Sequence, residues 1–509
     1  MMLAALRIVA GLTCVALAGC AVTTDYHPTP VNVPIAWSDT PAGNGSIVQS
    51  TVAWWTLFHD AELTSLVERA VSANLDVQLA QMRLREVRTQ LRVTTASLAP
   101  SLNATVSAAR EKDSTNAPAP VLRDRNGTNE SSSGQAENLF QAGFDASWEL
   151  DLFGRQRRVI EGAQAGAEMM VFERDAVVLS LLTEVARTYI ELRAAQRQIA
   201  IANRSLASQM DRVKLIRSRY AGGMATYAQI TDADLRVHQL AADIPSMESR
   251  HKSAVNRLCI LLGQWPGGLA AELRQGTTIP VAPEDIASGL PSDLLRQRPD
   301  ILRAERRIAM ASADVGVATS DLYPHFSLTG AAGLASVSAR DLFSSASLLW
   351  KIGPTMTWPI LRRGQIVDTI AVRNVQLQEA LITYRNTILT ALEEADDAIA
   401  SVAQQKARRA SLAGAVNEAD QSVELAQARY AGGMTDYRDV LAVEAKRFQA
   451  QDLLAQSDAA VALSQVALIK SLGGGWNAPT LNPFKAETDL PVTCSLERIE
   501  GKQPCSTSP

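Results

Sequence analysis

Tyr220-Ala221-Gly222-Gly223-Met224 recurs as Tyr430-Ala431-Gly432-Gly433-Met434, and a second tyrosine follows each copy at the same distance, Tyr227 and Tyr437. Five identical residues with paired glycines inside mark an internal duplication. The register extends upstream: Gly143, Trp148 and Gly154 stand as far ahead of their motif as Gly353, Trp358 and Gly364 do of theirs. Earlier still, Leu98-Ala99-Pro100 matches Leu322-Tyr323-Pro324 and Asp76 matches Asp300, once a longer loop in the first copy is allowed for. The chain therefore divides into two similar halves, 61–280 and 281–475, with a segment 20–60 before them and a tail 476–509 after.

Each half has one order of elements: helix, strand, loop, strand, long helix, tight turn, long helix. In the first, Leu102, Ala104, Val106 and Ala108 alternate with polar residues, the period-two pattern of a strand with one apolar face. Ala142, Phe144, Ala146, Trp148 and Leu150 repeat that pattern on the partner strand. Phe326, Leu328, Ala332 and Leu334, then Trp350, Ile352, Met356 and Trp358, do so in the second half. Strand pairs are expected within 99–150 and 324–360. Arg110 to Glu137, rich in Ser, Asn, Asp, Gly and Pro, reads as a long solvated loop. Strands apolar on one face and polar on the other, with a long polar loop at one end, fit a transmembrane barrel, and a soluble sandwich edge is the alternative. Long helices are expected at 155–219, 227–263, 364–429 and 436–472. About 65 residues without proline, as from Arg155 to Arg219, would run roughly 100 Å as one helix, a length that demands a coiled partner. Apolar residues at 47% with aromatics at 5% suit such closely packed helices.

Four strands cannot close a barrel, and an open edge in hydrocarbon leaves peptide groups unpaired. Three copies would supply twelve strands and twelve long helices, whereas the eight strands of a dimer would leave an interior filled by side chains. The expected fold class is an α+β membrane protein: a trimeric 12-stranded β-barrel, four strands per chain, whose wall twelve long helices could continue as a tunnel.

Residues 1–19 read as an export signal, with Arg7 followed by an apolar run from Ile8 to Ala18 that is too short to span a bilayer. Leu17-Ala18-Gly19-Cys20 resembles the bacterial lipoprotein cleavage box, which implies that Cys20 becomes the first mature residue and carries covalent lipid, a diacylglycerol and an N-acyl chain. Ala21 rather than Asp after it favours the outer membrane. Cys494 and Cys505 flank a polar stretch and either close a loop or stay free.

A net charge of −4 with no basic block argues against nucleic-acid binding. The five histidines are scattered, none at metal-ligand spacing on a helix, and no nucleophile elbow or phosphate-binding loop occurs. Glu393, Glu394, Asp396 and Asp397 read as a solvated helix face. Neither an enzyme, nor a cofactor, nor a metal site is expected.

Trp54-Trp55-Thr56-Leu57-Phe58, Gln297-Arg298-Pro299-Asp300-Ile301 with Ala304-Glu305, Asp321-Leu322-Tyr323-Pro324, both Tyr-Ala-Gly-Gly-Met turns and Leu472-Gly473-Gly474-Gly475-Trp476 resemble the TolC-type outer-membrane factors of RND-type tripartite pumps, lipoprotein (NodT) branch. That resemblance implies a homotrimer with a β-barrel in outer-membrane lipid, continued by a long periplasmic α-helical barrel, that docks, through a periplasmic adaptor protein, an inner-membrane RND-type transporter, and that passively conducts drugs or other small organic solutes outward. It places adaptor contacts at the turns Gly222, Gly223, Gly432 and Gly433. A periplasmic gate would form at the same tip, where Ala442 stands at the position of an acidic residue that relatives use. The candidates available here are Asp232, Asp234, Tyr437, Arg438 and Asp439. Trp148, Trp350 and Trp358 are candidate membrane-interface aromatics, with core packing as the alternative. The rival readings are a periplasmic adaptor lipoprotein of the same pump class and a lipid-anchored periplasmic hydrolase.

Overall fold

The computed structural model describes residues 53–112, 136–274, 278–282 and 291–475, with isolated positions 33, 34, 36, 37 and 276. In chain order the elements are α1 (Ala61–Ala73), α2 (Leu75–Ala96), β1 (Ser101–Lys112), β2 (Ala136–Leu150), α3 (Arg155–Ala221), α4 (Tyr227–Leu261), α5 (Pro291–Gln297), α6 (Pro299–Ser320), β3 (His325–Ser336), β4 (Leu348–Thr357), α7 (Arg363–Ala431) and α8 (Tyr437–Ser471). Two compact units cut across the sequence halves. One holds 84–170 and 303–385, the other 31–83, 171–302 and 386 onward.

The first unit contains one antiparallel sheet in the order β1-β2-β3-β4. The duplication reaches the strand register, since Ser101 faces Ser147 in the first hairpin and their counterparts His325 and Thr357 face each other in the second. The halves meet at the β2–β3 seam, where Gly143 pairs with Gly333. A Cβ on Gly143 would lie 2.9 Å from the Ala332 carbonyl oxygen, and one on Gly333 would lie 2.6 Å from the Gly143 Cα. Only glycine permits this approach, and a sheet drawn together at that row curves toward the face onto which both missing side chains would point. The first loop is shorter than its composition suggested, because Arg110 to Lys112 and Ala136 with Glu137 continue the ladder. Backbone pairing there outweighs polar composition.

In the second unit the motif Trp54 to Phe58 forms a 3₁₀ turn whose Trp54, Trp55 and Phe58 are buried with Leu63, Leu66, Leu182, Tyr189, Leu258 and Ile469. The Trp54 indole packs so closely on Gly475 that a Cβ there would come within 2.6 Å of Nε1. Asp60 caps α1, one carboxylate oxygen accepting from the Leu63 amide at 3.0 Å and the other from the Tyr189 hydroxyl at 2.8 Å.

Arg298, only 8% exposed, ties three elements together. It donates to the Ser471 carbonyl at 3.0 Å, to both Asp300 oxygens at 3.1 and 2.7 Å, and pairs with Glu394 at 2.7 Å. Burial disfavours the cation, but Asp300 and Glu394 outweigh it and hold the guanidinium above its ordinary value. Glu394 is thus more than part of a solvated face: it reaches a buried partner across the unit. Pro299 opens α6 with Asp300 in its first turn, where a missing N–H and a negative charge are both favourable. Replacing Arg298 with Met strands the Ser471 carbonyl. The two carboxylates are partly solvated and rehydrate, so the loss should fall below that of a fully buried pair, at about 2 kcal/mol. The urea midpoint of the detergent-solubilised protein should fall accordingly, and an unchanged midpoint would refute the clamp.

Candidate functional site

The sheet presents two chemically distinct faces. Leu102, Ala104, Val106 and Ala108 lie across from Ala146, Phe144, Ala142 and Phe140, and the same rows continue through Gly330, Ala332 and Leu334 to Ile352, Trp350 and Leu348. Among the described residues these side chains are exposed or half-exposed, with Val106 83% and Trp350 73% exposed. On β2 the apolar face runs from Phe140 to Leu150, about 34 Å of strand. Tilted at about 40°, as strands of membrane barrels are, it would make a band about 26 Å tall, the height of a lipid-facing belt. The opposite face carries Asp145, Ser147, Glu149, His325, Ser327, Thr329 and Lys351.

The three candidate interface tryptophans fall at both ends of that band. Trp148 and Trp358 occupy equivalent places, their Nε1 atoms donating to the Leu98 and Leu322 carbonyls at 2.9 and 3.1 Å, each just before a strand of its own hairpin. Trp350 sits toward the other end of β4. A ring whose N–H is satisfied and whose body is bare is the form that interfacial tryptophans take.

Two turns, α3 to α4 and α7 to α8, are nearly superimposable in their bonding. Met224 N donates to the Arg219 carbonyl at 2.8 Å and Gly223 N to Tyr220 at 3.0 Å, and Met434 and Gly433 repeat both bonds, to Arg429 and Tyr430, at 3.0 Å. This is the double closure of a glycine-stopped helix. Gly223 and Gly433 supply its left-handed residue, at φ 72° and 70°. Gly222 and Gly432 place the exposed side chains of Met224 and Met434 at the turns.

The turns differ at their caps. Thr226 begins α4, its amide donating to Gln229 Oε1 at 3.0 Å, whereas Asp436 begins α8. Asp436 accepts from the Arg438 amide at 3.1 Å, pairs with the Arg438 guanidinium at 3.1 Å and forms an ion pair with Arg219 at the end of α3. Partial burial alone would raise this carboxyl, but the Arg438 amide and the Arg219 and Arg438 guanidiniums hold it below its ordinary value.

Of the candidate gate residues, Arg438 joins that cluster. Tyr437 packs against Tyr430 with ring centroids 4.9 Å apart and planes inclined at 56°, and burial with nearby Glu444 raises its hydroxyl above the usual value. Asp234 pairs with Arg217 at 3.1 Å and Asp232 with Arg236 at 3.5 Å. Asp232 and Arg438 are therefore not brought together, because each has a nearer partner on its own side of the turn. Asp439 donates its amide to the Asp436 carbonyl at 2.9 Å as part of the cap. The residue that joins the two turns, Asp436, was missed, although its place one residue before the second tyrosine, against Thr226 in the first copy, was a readable asymmetry. Ala442 follows within α8. Cys20, Cys494 and Cys505 lie outside the described residues.

The outer membrane efflux protein family profile matches residues 66–264 and 290–474, the same two-part division as the repeat. Among curated relatives, Nodulation protein T of Rhizobium leguminosarum bv. trifolii is 28% identical over 467 residues, covering 91% of this chain and 96% of that one. Outer membrane protein OprJ of Pseudomonas aeruginosa is 29% identical over 467 residues, covering 92% and 95%. Among solved structures, the outer-membrane channel OprN superposes with a TM-score of 0.80 at 30% identity, covering 90% of this chain and all, 100%, of that one.

The Asp436 cluster has a pH signature. Its carboxyl is depressed, so the stability it contributes is fully present above its ordinary 3.8 and is lost as pH falls through the lower folded value. One exposed pair is worth about 0–1 kcal/mol, so only repetition across copies could bias an aperture. Asp436→Ala should raise single-channel conductance in a planar bilayer at a fixed pH near 7. Equal conductance in a correctly assembled variant would remove Asp436 from the gate.

Proposed function

The chain belongs to the outer membrane efflux protein family, and from that premise we propose that three copies join edge to edge into one continuous duct. Its general role follows from the family: it is the outer-membrane channel of a tripartite efflux system and extends into the periplasm. The finer reading is that the duct is passive and conducts drugs or other small organic solutes. Energy comes from an inner-membrane RND-type transporter, reached through a periplasmic adaptor that docks on the two glycine turns. The exposed Met224 and Met434 put one adaptable apolar side chain at each turn, available to such a docking partner. A diacylglycerol and an N-acyl chain on Cys20 would hold the chain to the membrane, and the intact mass of the mature protein reads that modification directly. The match over both halves leaves the adaptor alternative without support.

One observation carries the assembly: a four-stranded sheet with an apolar face, a polar face, and β1 and β4 as its two edges. The repeat also supplies the register of the missing contact. Within the chain, β2 pairs with β3 so that Ser147 faces Thr329 and Ala146 faces Gly330. Their counterparts in the other half are Thr357 with Thr105 and Met356 with Val106, so β4 of one copy should meet β1 of the next in that register. Residues one step apart alternate between hydrogen-bonded and non-hydrogen-bonded pairs, and the latter bring Cα atoms to about 4.5 Å. Of the double variants Thr105→Cys with Thr357→Cys and Val106→Cys with Met356→Cys, one should therefore oxidise to a covalent trimer on a denaturing gel. Single variants should not, and neither should the offset pair Thr105→Cys with Thr355→Cys. Monomers throughout, or crosslinking only at the offset pair, would overturn the reading.

A further inference from the structure

The first unit holds an ionic cluster on the polar face at the start of β3. His325 Nδ1 stands 3.8 Å from Glu149 Oε1, and His325 Nε2 stands 3.7 Å from Asp321 Oδ1. Arg155 Nε donates to the same Asp321 oxygen at 3.0 Å, and Gln156 holds the other Glu149 oxygen at 3.0 Å. Two cavities of about 410 and 250 Å³ open beside it, the first lined by Ser147, Glu149, Arg155 and Ser327, the second by Arg362 and Gln365, and both by Asp321 and His325. The groups that face the imidazole are thus Glu149 from β2, Asp321 from the turn before β3, Arg155 from the start of α3 and Arg362 from just before α7. His325 is the histidine of the cluster, and its side chain is one-third exposed.

The duplication repeats these four positions without their charges. By the register of the repeat, Ser101 stands where His325 does, Ser97 where Asp321 does, Pro359 where Glu149 does and Gln365 where Arg155 does. Ser101 and His325 occupy the same place in their hairpins, opposite Ser147 and Thr357. Those four counterparts lie at the two edge strands, Ser97 and Ser101 beside β1 and Pro359 and Gln365 beside β4, so the position equivalent to this cluster falls at the seam between copies and has none of the four charges.

We propose that His325 makes the ionic selectivity of the duct depend on proton concentration. The inference rests on the reading that three copies form a channel whose lumen is the polar face of the sheet. Protonation adds one positive charge to each cluster, three at one level of the lumen, whatever net charge the carboxylates and arginines set beforehand. Fixed charge close to a low-dielectric wall raises the local concentration of the opposite ion, so acidification moves the permeant ion from cation toward anion, and acidic organic solutes pass more readily at low pH.

The test is the reversal potential of the reconstituted full-length protein in a planar bilayer under a potassium chloride gradient, at about pH 8 and about pH 5, the range over which histidine ordinarily changes charge. The ratio of potassium to chloride permeability should fall by at least about twofold on acidification. His325→Ser, which installs the residue that the first half already tolerates, should abolish the change. His325→Lys should fix the ratio near its acid value at both pH values. A pH-dependent ratio that survives in His325→Ser, or a ratio independent of pH in the unsubstituted protein, overturns the proposal while leaving the channel intact. Absence of conductance at either pH overturns the channel reading beneath it.

Discussion

A peptide N–H or carbonyl that faces hydrocarbon without a partner costs several kcal/mol. The sheet of this protein puts that constraint at both of its edges. Its outward rows are apolar from Leu102 to Ala108 on β1 and from Leu348 to Met356 on β4, so the edge strands are dressed for lipid, yet each has a neighbour on one side only. Either the edges stay in water and the apolar face is wasted, or another copy of the chain completes the ladder. The second option reconciles side-chain pattern with backbone chemistry.

The duplication makes such closure economical. One hairpin register is used twice, and the seam between the halves is the template for the seam between copies. At the seam between the halves, Gly143 and Gly333 mark a row at which the backbones draw close and the sheet bends toward its polar side. Two of the places where the halves differ are differences of charge: Asp436 against Thr226 at the turns, and His325 against Ser101 at the foot of the sheet.

Much of the frame was legible because its signals are local and periodic. Period-two alternation in β1 to β4, long proline-free helices and the paired glycines each report a backbone state directly. The strands nevertheless ran on into what composition assigned to a loop, at Arg110 and Glu137, since ladder pairing is a contact between distant segments that composition does not encode. The buried role of Arg298 was hidden for the same reason: its partners Glu394 and Ser471 come from far along the chain. At the turns, the pairing of the candidate residues was not foreseen. An Asp four residues before an Arg takes that Arg, as Asp232 takes Arg236, and Arg219 reaches Asp436 only after two separate turns have been set side by side.

The central claim is that β1 and β4 are not edges in the working protein. Amide hydrogen exchange on the protein in lipid nanodiscs, read by mass spectrometry across peptides covering Ser101–Lys112 and Leu348–Thr357, addresses it most directly. The account predicts protection along both strands as strong as at the β2–β3 seam. Alternating protected and freely exchanging amides along β1 and β4, as for strands bonded on one side only, would contradict it.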